Sequence, residues 1–391
     1  MLATEFTQGY YSVNGEIFAN KMYAVKRALE TNQQLRWHYF DDVFASASTK
    51  NLGQIGLNEL YRQRALQLRD SYDYLVLYYS GGSDSWNVLN TFLKNNIKLD
   101  CVYVWHPVKA TDKNLYTPNQ FDLSDNNHVS EWDFVIKRDL EWLAAHHPEI
   151  HIEIGDWTDV LIQTNNTVYD RIIETATTQN SIVTLFKNVC PCNFERRTLD
   201  QGKTVAKVIA ADKPKIEEHL GKYYFYFIDV ACPNMSTDDN PNGVEYFYIS
   251  PDFPSMTVEQ SFAILSYYKN MPEKLSLLKS PHTRPPGWSF EKVYQTCYQM
   301  EADERSILYP DWDMNKFQSS KATPKSNLPS GVRSADAFLL SLPEFREASL
   351  KWGHHWNELF TTEDKSSNQY FVVDSQFKPT YSKRHFLADV G

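Results

Sequence analysis

A short apolar run followed by an amphipathic segment recurs along the chain from residue 74 onwards. The run 74–79 is apolar and aromatic throughout, which is typical of a buried strand. Between Trp86 and Leu93 the apolar residues recur at helical spacing, which predicts a helix over 84–95. The same patterns predict strands at 99–105, 150–154 and 205–210 and a helix at 128–147. Strands that alternate with helices in this way indicate an α/β fold with an open parallel sheet flanked by helices.

The segments before residue 71 and after residue 254 do not show this alternation of strands and helices. Residues 1–70 suggest a helical N-terminal lead-in, with helices expected over 21–29 and 57–68. After residue 254 helical patterns dominate. The elements expected there are helices at 257–271, 288–303 and 336–360 and short strands at 370–373 and 377–386. We therefore expect an α/β domain at 71–254, followed by a mostly helical region at 255–391.

Two strands are expected late in the α/β domain, at 223–230 and 244–249. They are rich in aromatic and β-branched residues and are separated by a segment of Pro, Asn, Asp and Gly. This pattern predicts an antiparallel extension of the sheet.

The segment between the first strand of this domain and its helix has the composition of a phosphate-binding loop. Its residues are Ser80, Gly81, Gly82, Ser83, Asp84 and Ser85. Two adjacent glycines allow a sharp turn that brings backbone N–H groups close to an anion, and the following helix N-terminus favours negative charge. The serine hydroxyls can donate to phosphate oxygens, and Asp84 can hold a bridging metal ion. A tight turn with ordinary N-cap residues explains part of this segment but not the ordered combination.

The motif S-G-G-x-D-S after a hydrophobic strand resembles the PP-loop ATP pyrophosphatases, which include the asparagine synthetase ligase domain, GMP synthetase and 7-cyano-7-deazaguanine synthase. The resemblance covers residues 74–94, with all six motif positions matched. It implies a sheet of the adenine nucleotide alpha-hydrolase type and cleavage of ATP between its α- and β-phosphates with Mg²⁺. Pyrophosphate would leave, and AMP would be attached to an oxygen of the acceptor. Ammonia, an amine or a sulfur nucleophile would then displace AMP.

Two further residues are expected beside this loop, because ligands of an open parallel sheet bind beyond the carboxyl ends of its strands. Trp105 ends the second strand, where related enzymes hold adenine, so its ring could stack on the base. Lys213 follows the fourth strand and could offset the negative charge of departing pyrophosphate. Asp212-Lys213-Pro214 is equally typical of a plain turn, so both interpretations of Lys213 stay open.

Composition and charge limit the classes of partner. The 391 residues are 14% aromatic, which argues against disorder, and no apolar run is long enough to span a membrane. The first residues show no signal-peptide pattern, so a cytoplasmic location is expected. A formal net charge of −10 argues against an extended nucleic-acid-binding surface.

A local basic groove is still compatible with this charge. The basic residues fall into two groups: Arg62, Arg64 and Arg69, and Lys203, Lys207, Lys213 and Lys215. A solvated helix face is the simpler interpretation of both groups, and of Lys203 and Lys207 in particular.

The chain has five cysteines, an odd and sparse set that suits a reducing compartment. Cys190, Cys192 and Cys232 could supply three zinc ligands, as a zinc site does occur in the deazaguanine-forming relatives. Their spacing lacks the paired C-x-x-C of a structural zinc site, so buried free thiols are the favoured interpretation.

The leading hypothesis is an AMP-forming ligase or modifying enzyme that uses ATP and Mg²⁺. The loop would hold pyrophosphate, Asp84 would bind Mg²⁺, and Lys213 would offset charge on the leaving group. The acceptor would be a small molecule or a nucleobase, bound partly by the region 255–391. Residue 2 is leucine and no Gly-x-Cys-x-Gly elbow occurs, so nitrogen would come from ammonia, an amine substrate or a separate subunit.

Two alternatives stay open. The same adenylation chemistry could modify a nucleobase in tRNA, DNA or a free precursor. The chain could instead be a nucleotide-binding sensor or scaffold without turnover, although Asp84 argues against this because a pure adenine binder has less need of a metal.

Overall fold

The computed structural model describes residues 9–19, 21–47, 49–50, 52–106, 108, 132–156, 191–210, 213–229, 243–279, 285–314 and 380–390. The strands are β1 (Tyr10–Val13), β2 (Glu16–Phe18), β3 (Leu35–His38), β4 (Tyr74–Tyr78), β5 (Cys101–His106), β6 (His151–Asp156), β7 (Val205–Ile209), β8 (Lys215–His219), β9 (Lys222–Tyr226), β10 (Val244–Tyr246) and β11 (His385–Asp389). The helices are α1 (Lys21–Thr31), α2 (Asp41–Ser46), α3 (Leu57–Ser71), α4 (Ser83–Lys94), α5 (Lys137–His146), α6 (Asn193–Asp200), α7 (Pro254–Tyr268), α8 (Pro272–Lys279) and α9 (Phe290–Leu308). A π-helical turn, Trp132–Ile136, leads into α5.

The central sheet has five parallel strands in the order β10-β7-β4-β5-β6. Leu75, Val76 and Leu77 of the middle strand β4 are fully buried, as expected for a parallel strand covered on both faces. From β4 the chain builds outwards through β5 and β6, and then returns to place β7 on the other side of β4. The strand order therefore reverses between β4 and β7, where open α/β sheets form a ligand crevice.

This sheet confirms the predicted α/β architecture. The strands expected at 74–79, 99–105, 150–154 and 205–210 are β4, β5, β6 and β7, each displaced by no more than a few residues. The helix expected after the loop is α4. The adenine nucleotide alpha-hydrolase type of this sheet stays a prediction.

The predicted antiparallel extension of the sheet is wrong. β10 joins the central sheet parallel to β7, whereas β9 pairs with β8 and β11 in a separate antiparallel sheet. Leu220 and Gly221 connect β8 to β9 with φ angles of 51° and 73°, as in a two-residue hairpin turn. Because the first turn residue is leucine rather than the usual Asn or Asp, the sequence gives little sign of this hairpin.

The description of residues 1–70 as helical is also wrong in part. The helices expected at 21–29 and 57–68 are present as α1 and α3, but β1, β2 and β3 form an antiparallel sheet in the order β2-β1-β3. Asn14-Gly15, with φ angles of 49° and 86°, forms the turn between β1 and β2. This dipeptide is the strongest short-range hairpin signal in a sequence.

In the C-terminal region α7 and α9 confirm the helices expected at 257–271 and 288–303, and α8 was not predicted. The strand expected over 377–386 corresponds to β11, which begins only at His385. The elements expected at 336–360 and 370–373 lie outside the described residues.

One continuous buried core joins the three sheets. It contains Tyr11 of β1, Leu77 of β4 and Phe225 of β9. The predicted boundaries at residues 70 and 254 therefore do not separate independent cores, and as domain limits they stay predictions. Among the described residues, no helix combines the length and apolar character needed to cross a membrane.

Candidate functional site

The candidate phosphate loop, residues 80–85, leaves β4 at the carboxyl edge of the central sheet and enters α4. Gly81 has a φ of +75°, and a Cβ placed on it would lie 2.7 Å from Cγ1 of the buried Ile136. Both the left-handed backbone and the lack of space therefore require glycine at this position. Gly82 has extended geometry and occupies the N-cap position of α4.

The serines of the loop differ in their surroundings. The Ser85 hydroxyl is buried; it accepts the Ser80 N–H at 3.2 Å and donates to the Gly82 carbonyl at 3.2 Å. Its oxygen also lies 3.1 Å from the Ser80 hydroxyl. Ser83 is buried in the first turn of α4, whereas Ser80 is exposed. Ser85 therefore closes the loop on itself, and Ser80 is the serine most accessible to a ligand.

The structure brings together the two residues predicted to be catalytic. Lys213 Nζ lies 3.3 Å from Asp84 Oδ1, and the two side chains are 15% and 37% exposed. Lys213 follows β7 and Asp84 follows β4, so the pair lies at the point where the strand order reverses. The lysine ammonium also lies 5.5 Å from the centre of the Tyr309 ring, within cation–π range.

Two buried tyrosines support this pair, and sequence reasoning missed both. The Tyr248 hydroxyl donates to the Asp84 backbone carbonyl at 2.8 Å, and the Tyr248 and Tyr309 rings are 5.6 Å apart. Burial, with the negative charge of Asp84 as a further cause, raises the pKa of each phenol well above its ordinary value. Both phenols therefore stay protonated. No motif distinguishes them from the many other tyrosines in the chain.

The segment after α9 packs directly on the helix of the loop. The Trp312 ring meets the Trp86 ring edge to face, with centroids 5.2 Å apart. Lys94 Nζ lies 2.5 Å from Asp311 Oδ2. Residues from the C-terminal region thus border the candidate site.

Trp105 lies at the end of β5 on the sheet face opposite to that of Val104. It is half-buried and packs against the buried cluster that contains Tyr103 and Cys192. Its predicted stacking on adenine stays a prediction.

Lys207 does not lie on a solvated face, and that expectation is wrong. Its side chain is 2% exposed, and Nζ lies 3.8 Å from Oε2 of the buried Glu195. The Tyr78 hydroxyl donates to the same carboxylate oxygen at 3.0 Å, and the ammonium lies 5.2 Å from the centre of the Tyr78 ring. A lysine within a strand that is buried on both faces must be paired, because an isolated charge there is costly.

The three arginines before β4 each have a carboxylate partner. Arg62 pairs with Glu59 at 2.7 Å, Arg64 with Glu245 at 2.6 Å and Arg69 with Asp100 at 2.6 Å. The solvated-face interpretation is wrong for Arg64, whose side chain is 1% exposed. Because acidic partners offset these charges, the arginine group offers little support for a basic groove.

Cys192 is a buried free thiol, as favoured from the sequence. Two further described cysteines are also free thiols: Cys101 is buried and Cys297 is exposed. A hydrogen bond with Cys192, together with burial, raises the pKa of the Cys101 thiol. Cys190 and Cys232, the other two proposed zinc ligands, lie outside the described residues. Within the described part of the chain, no group of three or more His, Cys, Asp or Glu side chains could hold a metal ion.

No protein-family model, curated protein or solved structure matched this chain. The resemblance to PP-loop pyrophosphatases stays a prediction from the motif.

Proposed function

We propose that this protein is an ATP-dependent, AMP-forming ligase or modifying enzyme of the PP-loop type. The observation that carries this proposal is the Asp84–Lys213 pair at the carboxyl edge of a parallel sheet, where the strand order reverses. A phosphate group at this edge would meet the N-terminus of α4 and a lysine from the neighbouring strand connection. This combination suits a triphosphate better than a neutral ligand.

The chain's own residues would bind and orient the β- and γ-phosphates. The turn at Gly81 and Gly82 would direct backbone N–H groups towards the phosphates, and the Ser80 and Ser83 hydroxyls would add donors. Lys213 would offset the charge that develops as the bond between the α- and β-phosphates breaks. Asp84 holds Lys213 beside the loop in the free protein.

Asp84 also fits the role of a magnesium ligand. Its side chain is 37% exposed, and Mg²⁺ in nucleotide sites is usually held by one or two carboxylates together with substrate phosphates. A bound Mg²⁺ would neutralise phosphate charge. A complete protein cage is unnecessary for this, so the small number of acidic groups around the loop is compatible with the role.

We propose that the acceptor is a small molecule bound between the loop and the C-terminal region. Tyr309, Asp311 and Trp312 border the loop and α4 from that region, which supports such a pocket. The paired arginines before β4 favour a small acceptor, including a free nucleobase, over tRNA or DNA. The nucleophile would be ammonia, an amine or sulfur, and a cytoplasmic location would supply the ATP.

Nucleotide binding can be tested without the acceptor. Calorimetry with a non-cleavable α,β-methylene ATP analogue and Mg²⁺ should give one site per chain. Asp84→Asn should weaken binding in the presence of Mg²⁺ and have little effect in EDTA, because it removes the metal ligand and leaves the loop intact. Equal affinity for adenosine and the analogue would contradict a phosphate loop.

A further inference from the structure

The N-terminal sheet carries a second group of chemically reactive residues, remote in sequence from the phosphate loop. In β1 and β3, Tyr11 and Trp37 face the core, whereas Ser12 and His38 lie on the other face and are partly exposed. Asp41 follows β3 as the first residue of α2. These three side chains form a continuous hydrogen-bonded line.

The distances match those of a nucleophile, a base and an orienting carboxylate. Ser12 Oγ lies 2.8 Å from His38 Nε2, and His38 Nδ1 lies 3.2 Å from Asp41 Oδ2. An ionised carboxylate only accepts hydrogen bonds, so the proton of neutral His38 belongs on Nδ1. The lone pair on Nε2 is then directed at the serine hydroxyl, which is the arrangement that activates a serine nucleophile.

The backbone and neighbouring side chains hold this arrangement in place. Phe40 has φ 47° and ψ 41°, a left-handed conformation that is unfavourable for a non-glycine residue. This turn brings Asp41 back against His38. The Tyr10 ring stacks on the imidazole with centroids 4.6 Å apart and planes 18° apart, which fixes the ring orientation. Strained residues of this kind tend to occur at functional sites.

A cation lies next to the serine on the same face. Arg36 is the direct partner of Ser12 in the β1–β3 register, and it is exposed. Direct cross-strand partners have Cβ atoms about 5 Å apart. The guanidinium can therefore reach a negative group on a substrate or an oxyanion that forms at the attacked carbon.

We propose that Ser12, His38 and Asp41 form a nucleophilic acyl-transfer site for esters that carry a negative charge. Ser12 Oγ attacks the acyl carbon while its proton passes to His38 Nε2. The ester bond breaks, and the leaving alcohol takes that proton. Water, deprotonated by His38, then attacks the acyl-serine, so that a carboxylic acid is released and Ser12 regains its proton.

A fluorophosphonate probe tests the nucleophile on the full chain. Attack by Ser12 displaces fluoride and leaves a phosphonyl-serine, detected by intact mass and mapped by peptide sequencing. We expect one adduct, at Ser12, that is lost in Ser12→Ala and retained in Ser46→Ala. Ser46 is the matched control, because it is an exposed serine whose hydroxyl donates to the Val43 carbonyl. A wild-type chain without an adduct at Ser12 would overturn the proposal.

The roles of His38 and Asp41 are tested by the rate of labelling and its rescue by imidazole, which would not respond if these residues only supported the fold. His38→Ala should slow labelling at least a hundredfold, and added imidazole should restore part of the rate. Asp41→Asn should also slow labelling, because it no longer fixes the tautomer. Equal labelling rates in wild type and folded His38→Ala, judged by thermal unfolding, would show an adventitious serine and overturn the proposal.

Substrate charge is tested with p-nitrophenyl succinate against p-nitrophenyl acetate. Wild type should hydrolyse the charged ester faster, and Arg36→Ala should remove that preference. Arg27→Ala is the control, since Arg27 is a surface arginine already paired with Glu16 at 2.5 Å. Asp84→Asn should leave every one of these results unchanged, which separates this site from the ATP site. A preference that survives Arg36→Ala would overturn the assigned substrate charge.

Discussion

Lys213 Nζ and Asp84 Oδ1 are 3.3 Å apart, although the residues come from opposite sides of the reversal in strand order. With Asp84 37% exposed, an ion pair of this kind contributes at most about 1 kcal/mol to folding. The pair therefore adds little to stability, and its proposed role is to bind ATP and Mg²⁺.

Replacing Asp84 by Asn should abolish turnover while leaving the fold intact. The change keeps the side-chain volume but removes the charge that we propose holds Mg²⁺, so kcat for ATP cleavage should fall by at least about a hundredfold. The midpoint of thermal unfolding should change little. Near-normal cleavage by a folded variant would show that the metal is bound elsewhere or that the loop is not catalytic.

Lys213→Ala should lower ATP cleavage roughly a hundredfold, since a cation that contacts the developing charge contributes a few kcal/mol. Lys203→Ala is the matched control, because Lys203 is exposed in the turn before β7. That variant should keep normal activity and lose no more than about 0.5 kcal/mol of stability. Equal rates for the two variants at saturating ATP would favour the plain-turn interpretation of Lys213.

Gly81→Ala should destabilise the protein more than Gly202→Ala. Both glycines have positive φ, 75° and 73°, but a Cβ on Gly81 would meet Ile136 Cγ1 at 2.7 Å, whereas a Cβ on Gly202 meets nothing within 4 Å. We expect a loss of about 2–4 kcal/mol for Gly81 and about 1 kcal/mol for Gly202. Denaturant unfolding measures both. A similar loss in the two variants would show that the loop has room for a side chain.

Lys207→Met should cost about 3–5 kcal/mol of unfolding free energy, because it leaves the buried Glu195 without its cation. The double variant with Glu195→Leu should recover much of this loss. Exposed Lys203→Met serves as the surface control, with an expected effect below about 0.5 kcal/mol. Additive losses in the double variant would show that the two side chains do not act as a pair.

His385 should make the protein sensitive to acid. Burial lowers the pKa of this histidine from 6.5 to about 4, despite the opposing effect of Asp41. Between these two pH values the unfolded chain binds the proton and the folded chain does not, so stability should rise from pH 4 to 6.5 and level off above. The expected change is on the order of 2–3 kcal/mol.

The contribution of His385 is isolated by replacing it with Phe. A phenyl ring can keep the contacts that His385 makes with the rings of Phe44, Phe225 and Phe227. Between pH 4 and 6.5 the stability of His385→Phe should change by about 2–3 kcal/mol less than that of wild type. The same change at the exposed His219 should leave the pH dependence as in wild type. An unchanged pH dependence in His385→Phe would contradict the assignment.

Local signals explain which parts of the fold could be predicted. The β4–loop–α4 unit follows from a continuous apolar run, a pair of glycines and helical spacing, all within about twenty residues. The hairpin at Asn14-Gly15 has an equally local signal, the Asn-Gly dipeptide itself. The Leu220-Gly221 turn had little signal, because leucine rarely adopts positive φ.

Contacts between distant segments explain what the sequence could not predict. Lys207 lies inside an apolar strand, so its burial could have been inferred, but its partner Glu195 is brought in by a separate helix. Tyr248 and Tyr309 reach Asp84 from different parts of the chain and belong to no motif. Their positions follow from tertiary packing alone.

The fate of ATP labelled at the α-phosphate decides whether this protein is an AMP-forming enzyme. The protein would be incubated with this ATP, Mg²⁺ and a cell metabolite extract as the source of acceptor, and the nucleotide and phosphate products separated. We predict labelled AMP and an equal amount of pyrophosphate with wild type, and neither above background with Asp84→Asn. ADP and orthophosphate as the main products, or AMP formation unaffected by Asp84→Asn, would contradict it.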